Sequence, residues 1–317
     1  MTAGTERPRI LDGKSTAKQI RAEVAEGCAE LTSRHGFKPG LTVVLVGEDA
    51  ASQIYVRNKQ KAAVRAGMES SIERLPLDAA ESRVLETVAR LNDDPAVHGI
   101  LVQLPLPGGI DDQKVIRSIA RHKDVDGFHP ENVGRLWTGL DAFVPCTPAG
   151  VVELLRRNEI ELRGKHAVVI GRSNIVGKPM AALLLREHCT VTVCHSRTVD
   201  LPAVAARGDI LVAAVGRMAM VTEEFIRPGA AVVDVGIHRV EDEATVRELF
   251  GDDAARLAAV RERGSTLAGD VHPLQARRRA GWLTPVPGGV GPLTIALLLR
   301  NTLQAARHAV QGSDGAR

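Results

Sequence analysis

In the segment Ser52-Gln53-Ile54-Tyr55-Val56-Arg57-Asn58-Lys59 a phenol and an ammonium stand four residues apart. On a helix that spacing puts both on one face, where they can meet one substrate as an acid/base pair. A Tyr at a helix–sheet boundary beside a solvated Lys is the plainer alternative. Two further polar groups stand where apolar runs end: Gln103 after Gly99-Ile100-Leu101-Val102, and Asp126 in Asp124-Val125-Asp126-Gly127. Strand-end groups of this kind converge on ligands in α/β folds, although singly Gln103 could cap the next helix and Asp126 could serve a turn.

A second constellation follows downstream. The apolar run Val168-Val169-Ile170 leads into Gly171-Arg172-Ser173-Asn174-Ile175-Val176-Gly177. A glycine turn between a strand and a helix N-terminus offers free N–H groups and a helix dipole to a phosphate, so a dinucleotide fits there. The usual G-x-G-x-x-G spacing is not met, because Ser173 stands where the second Gly would be and Gly177 comes one residue late. An NAD site carries Asp or Glu at the end of the next strand to hold the ribose hydroxyls; here that place reads His195-Ser196-Arg197. An acidic group would repel a 2′-phosphate, whereas Ser196, Arg197 and the nearby Arg172 can donate to it, so the sequence prefers NADP to NAD. Short-chain dehydrogenases also use a Y-x-x-x-K pair, but theirs follows the Rossmann glycines, and here Tyr55 and Lys59 precede them.

These residues need elements to hold them. Ile20, Val24, Cys28 and Leu31 recur at helical spacing within a helix over 15–35, ended by Gly36 and Pro39. An alternation follows: strand 41–46, helix 50–66, strand 71–75, helix 80–91, strand 99–103 and helix 111–120. The stretch 122–143 lacks periodicity and is expected to be a long functional loop. Thr147-Pro148 opens a helix to about Arg157, with Thr at the cap and Pro in the first turn. A second alternation has strands 166–170, 190–193, 210–213 and 231–235 with helices 177–187 and 201–206, a Rossmann-like rhythm. Residues 241–263 read as charged and helical, 283–291 as a Pro/Gly loop, and 292–309 as an apolar helix. The fold class expected is therefore α/β with parallel sheets.

A length of 317 residues makes two domains at about 150 residues each. Aromatics are 3% of the chain, too few for the stacking platforms of single-stranded nucleic acid binding. The net charge of +3 comes from scattered basic residues, apart from Arg277-Arg278-Arg279, and implies no polyanion partner. No run approaches the roughly 18 apolar residues of a membrane span, and the N-terminus has no signal-like apolar stretch, so a cytoplasmic protein is expected. Cys28, Cys146, Cys189 and Cys194 form no C-x-x-C pair and suggest neither zinc nor a disulfide framework. Buried thiols in a reducing compartment are the expectation, with Cys146 the one to check for reactivity.

Taken together these residues resemble the bifunctional methylenetetrahydrofolate dehydrogenase/methenyltetrahydrofolate cyclohydrolase family. The resemblance runs over nearly the whole chain through segments 52–59, 99–107, 123–128, 145–148, 171–179 and 284–292. It implies two α/β domains flanking a cleft: residues 1–147 binding folate, with the helix 292–310 returning to them, and residues 148–284 forming a Rossmann NADP domain. It also implies that Lys59 is the central catalytic residue, that Tyr55 packs on the folate, that Gln103 hydrogen-bonds Lys59 and that Asp126 binds the pterin. Ser52 would share that pocket, and Pro287, Gly288 and Gly289 would lie beside the folate. Gly171, Arg172, Ser173, Ser196, Arg197 and Ile237 would contact NADP. The chain departs from the family's usual pattern at His272, at Leu293 for Met and at His238 for Asn.

The activity so implied belongs to one-carbon metabolism and serves purine biosynthesis. A hydride leaves the methylene bridge of tetrahydrofolate for the nicotinamide, then water adds to the methenyl carbon and the ring opens to 10-formyltetrahydrofolate. The second step needs a proton carrier, and a Lys desolvated beside positive charge can be one. Tetrahydrofolate derivatives are the partners expected, and a homodimer is carried by analogy. A dehydrogenase without the hydrolytic step, an NADP-binding regulatory module and a short-chain-type carbonyl reductase are the competing readings.

Overall fold

The structure is a computed structural model that describes residues 7–314. Its strands are β1 (Arg9–Ile10), β2 (Gly40–Val46), β3 (Glu69–Leu75), β4 (Gly99–Val102), β5 (His166–Ile170), β6 (Thr190–Cys194), β7 (Ile210–Ala213), β8 (Ala231–Asp234), β9 (His238–Val240), β10 (Thr266–Ala268) and β11 (Trp282–Leu283). The chain divides into two compact units. One is Ala17–Cys146 with the chain from Thr294 onward; the other is the chain up to Thr16 with Thr147–Leu293.

In the first unit a three-stranded sheet runs β3-β2-β4, all parallel, with Val43 opposite Ile72 on one side and Leu101 on the other. The central strand β2 is buried along its whole length, as a parallel strand covered on both faces must be. Helix Glu81–Asp93 turns Val84, Val88 and Leu91 into the core, a spacing of four and three that defines one helical face. Ile20, Val24, Cys28 and Leu31 are likewise buried on helix Gly13–His35.

The second unit carries a six-stranded parallel sheet in the order β1-β11-β8-β7-β5-β6. Its core gathers Val168, Ile170, Leu211, Ala213 and Val232 from the middle strands with Ile226 and Leu283. A two-stranded antiparallel ribbon, β9 with β10, is separate from it.

Three expectations need correction. Residues 122–143 are not an unstructured loop: a 3-10 turn spans Arg121–Lys123 and an α-helix spans Pro130–Trp137, capped by His129, whose Nδ1 accepts from Glu131 N at 3.1 Å. A helix of about two turns with two buried side chains, Asn132 and Leu136, is too short to show a period. The region 241–263 is two helices, Glu243–Phe250 and Ala254–Arg263, interrupted at Gly251 with φ 68°. The first residues do not all belong with the following domain: β1 pairs with β11 in the six-stranded sheet. Two- and three-residue strands such as β1, β9, β10 and β11 carry no readable alternation, and the sequence pattern did not reveal them.

Lys123 is a buried cation that joins two elements. Its Nζ donates to the carbonyls of Leu91, Asn92 and Asp94 at 3.1, 2.7 and 2.7 Å, closing the C-terminus of helix Glu81–Asp93, where carbonyls lack intrahelical partners. Burial lowers its pKa from the usual lysine value, opposed by Asp94 and Asp93. Lys123→Met keeps the stem and leaves those carbonyls unpaired. It should cost about 2–3 kcal/mol of unfolding free energy, read by denaturant titration, whereas Lys61→Met at an exposed site should stay within about 0.5 kcal/mol.

Candidate functional site

Helix Ala50–Arg65 starts at Asp49, whose Oδ2 accepts from Ser52 N at 2.7 Å. Four residues apart on that helix, Tyr55 lies exposed and Lys59 half-buried. Gln103 follows β4 directly, and its N–H still bonds Val44 O at 2.9 Å, so its backbone is held by the sheet. Its side chain is fixed from both ends. Nε2 donates to Leu104 O at 2.8 Å, which leaves Oε1 to accept from Lys59 Nζ at 3.0 Å. An amide oxygen can hold the lysine nitrogen whether that nitrogen is an ammonium or a neutral amine, because both carry N–H.

Asp126 sits half-buried in the turn after Lys123. Burial raises its pKa above the usual carboxylate value; the positive charge of Lys59 pulls it down, and Asp124 pushes it up. Asp124 is buried and holds the turn by accepting from His129 N and Asn132 Nδ2, each at 2.8 Å. At Gly127, φ is 74° and a Cβ would meet the Val144 carbonyl carbon at 2.5 Å, so only glycine lets the turn pass. Asn301, from helix Gly291–Asp314, donates through Nδ2 to Val125 O at 2.9 Å and Val144 O at 3.1 Å. It therefore joins the residue before Asp126 to the irregular segment that precedes Cys146. Sequence reasoning missed both Asn301 and Asn132; Asn301 stands between Arg300 and Thr302 in a polar break of an otherwise apolar helix, which does not single it out.

Cys146 does not fit a reactive role. It is buried, donates to Val125 O at 3.4 Å, and burial together with the Asp126 carboxylate pushes its thiol well above the usual value. All four cysteines are free and buried. Among the described residues no group of three or more His, Cys, Asp or Glu is placed to hold a metal ion.

The second unit presents the glycine turn. Gly171 has φ 128° and a Cβ there would meet Ala214 O at 2.1 Å; at Gly177 it would meet Gly171 O at 2.2 Å. Both glycines let three backbones close together at the N-terminus of helix Gly177–Arg186. Ser173, in place of a second glycine, turns its Oγ back to accept from Val176 N at 3.2 Å and Gly177 N at 3.3 Å. Arg172, Ser173, Ser196 and Arg197 are exposed. The Ser196–Arg197 turn is built by His195 N donating to Thr198 Oγ1 at 2.9 Å and by Arg197 N donating to His195 Nδ1 at 3.2 Å. A tight turn closed by Gly171 and Gly177, with the exposed guanidiniums of Arg172 and Arg197, fits a dinucleotide with a 2′-phosphate. Ile237 is exposed after β8. Gly288, with φ 112°, accepts through its carbonyl from Lys14 N at 3.1 Å, so the Pro287-Gly288-Gly289 loop rests on the start of helix Gly13–His35.

Comparison with known proteins shows which family the two units match. The tetrahydrofolate dehydrogenase/cyclohydrolase catalytic domain matches residues 11–126, and its NAD(P)-binding domain matches residues 145–310. The chain is 52% identical over 95% of its length to a bifunctional protein FolD of Moorella thermoacetica, covering 99% of that protein. It is 56% identical over 96% of its length to one from Rhizorhabdus wittichii, of which it covers 95%. A Trypanosoma brucei methylenetetrahydrofolate dehydrogenase-cyclohydrolase, solved with NADP and an inhibitor, superposes with a TM-score of 0.87 at 40% identity, over 96% of this chain and 99% of that one.

The field of Lys59 on Asp126 gives a direct check. Replacing Lys59 by Met removes the one cation that lowers the Asp126 pKa, so that carboxyl should titrate at higher pH in the variant. Carboxyl-carbon NMR of labelled aspartate measures it; an unchanged or lower value would contradict the placement.

Proposed function

The chain belongs to the tetrahydrofolate dehydrogenase/cyclohydrolase family, and from that premise we propose that Lys59, Gln103 and Asp126 form the folate-side machinery of its two reactions. The enzyme oxidises 5,10-methylenetetrahydrofolate with NADP to the methenyl form and hydrolyses that to 10-formyltetrahydrofolate. The observation that carries the residue assignment is the 3.0 Å bond from Lys59 Nζ to a Gln103 side chain whose own orientation is fixed by Leu104 O.

The bound dinucleotide supplies an oxidised nicotinamide as hydride acceptor. The protein's part in that step is orientation: Tyr55 offers an exposed ring for the folate, and the Asp126 carboxyl offers acceptors for the pterin N–H groups, with Ser52 assigned to the same pocket by the family reading. No protein group need take a proton there, because the departing hydride leaves a cation stabilised by two nitrogens.

Hydrolysis does need one. As the water oxygen bonds to the methenyl carbon, Lys59 as a neutral amine takes a proton from it. The resulting ammonium then donates to the folate nitrogen as the carbon–nitrogen bond breaks, and the carbinol hydroxyl loses its proton to solvent, so one proton is released overall. Gln103 Oε1 holds the lysine nitrogen through both protonation states. Pro287, Gly288 and Gly289 complete the reading as a side-chain-poor loop beside the folate. Gly171, Arg172, Ser173, Ser196, Arg197 and Ile237 receive the cofactor in the other unit. The same reading carries a homodimer in the cytoplasm; among the described residues no helix is long and apolar enough to cross a membrane.

Lys59→Met should separate the two activities. With NADP and the methylene substrate, methenyl product should accumulate relative to NADPH, hydrolysis falling about a hundredfold to ten-thousandfold while some dehydrogenase activity remains. Hydrolysis near the wild-type rate would remove Lys59 from the proton path. Arg197→Asp should erode the preference for NADP over NAD, measured as the ratio of kcat/KM values; an unchanged ratio would show that the 2′-phosphate is held elsewhere.

A further inference from the structure

Asp270 is completely buried, yet among the described residues no lysine or arginine forms an ion pair with its carboxylate. Oδ2 accepts from the backbone N–H groups of Val215 and Gly216, the latter at 3.0 Å, and Oδ1 accepts from His238 Nε2 at 2.8 Å. These partners lie in different loops. Val215 and Gly216 follow β7, next to Ala214, whose carbonyl is the atom that a Cβ on Gly171 would strike. His238 opens β9, directly after the exposed Ile237. One carboxylate therefore ties the loop behind the glycine turn to the segment that bears Ile237.

Asp270 is itself held in place by a second buried carboxylate. Asp234, at the end of β8, accepts from Gly236 N and Asp270 N through Oδ1 and from Val271 N through Oδ2, each at 2.9 Å. The fit is close enough to dictate two glycines: a Cβ on Gly236 would meet Asp270 Oδ1 at 2.4 Å, and one on Gly269 would meet Asp234 Oδ2 at 1.9 Å. His238 faces this network from one side, where β9 pairs with β10 and places Ala268 opposite it. Its side chain is 22% exposed, so it can be changed without excavating the core.

We propose that His238, through its bond to Asp270, is a positioning residue for NADP: it fixes the Ile237 segment against the loop behind the glycine turn, and its loss weakens cofactor binding without touching the folate chemistry. This rests on the assignment of Ile237 to the cofactor site.

The test compares His238→Ala, His238→Gln and Ile237→Asp in the full chain. Gln places an amide N–H where the imidazole Nε2 stands, so it keeps the donor without the ring. In His238→Ala, the Kd for NADP by calorimetry and the KM for NADP should rise about tenfold, the scale of one lost hydrogen bond to a charged group. kcat and the hydrolysis of methenyltetrahydrofolate assayed without NADP should stay within about twofold of wild type. His238→Gln should restore NADP binding to within about threefold. An unchanged Kd in His238→Ala alongside a weakened Ile237→Asp overturns the positioning role alone. If Ile237→Asp also binds NADP normally, the assignment of Ile237 falls and the proposal with it. Parallel loss of the NADP-independent hydrolysis, or failure of Gln to restore binding, would show a general structural role and likewise overturn it.

Discussion

Within each main sheet every strand pair is parallel. All strands of a sheet therefore end at the same edge, and the chain leaving each of them meets its neighbours there. Strands such as β2, β4 and β7 are buried throughout, where a polar group is costly unless it finds partners. Polar side chains stand just beyond several strands: Gln103 after β4, Arg172 after β5, and His195 to Arg197 after β6. The geometry that makes the core also makes the site.

What the edge requires is rigidity in segments that lack ladder bonds of their own. The protein supplies it with buried polar side chains that bond mainly to backbone. Lys123 closes a helix through three carbonyls, Asn301 joins Val125 to Val144, Asp124 holds the amides that follow it, and Asp234 and Asp270 gather amides from three loops. Each would be costly if left unpaired and inexpensive when fully satisfied. The network is arranged so that a side chain distant in sequence sets the backbone next to a residue of the proposed site. Asn301 does this for Asp126 from the other end of the chain.

The two units solve different electrostatic problems. Around Lys59 one ammonium faces a carboxyl whose burial favours its neutral form, with Asp124 adding like charge. Around the glycine turn the exposed guanidiniums of Arg172 and Arg197 stay in water, where their cost is small until an anion arrives. Proton movement needs the first environment, and recognition of a phosphate needs only the second. That division matches the assignment of folate to one unit and dinucleotide to the other.

The sequence by itself determined the long periodic elements, the parallel α/β class, and the two chemical constellations at Tyr55–Lys59 and Gly171–Gly177. A period of 3.6 or an unbroken apolar strand survives without tertiary help, and turn glycines announce themselves by residue type. It did not determine the short pieces. The helix Pro130–Trp137 has too few turns to show a period, and β1 pairs with a strand almost at the far end of the chain. Nor could spacing show that Gln103 turns its oxygen toward Lys59, since that depends on Leu104 O taking the other end of the amide. His238 and Asp270 stand far apart in sequence with no pattern between them. Only the pairing of β9 with β10, which brings the two ends of a long excursion to one point, makes them a bonded pair. Local spacing fixes what a residue can do along its own element. Which partner it finds is decided by contacts between elements, and those exist only once the sheets have closed.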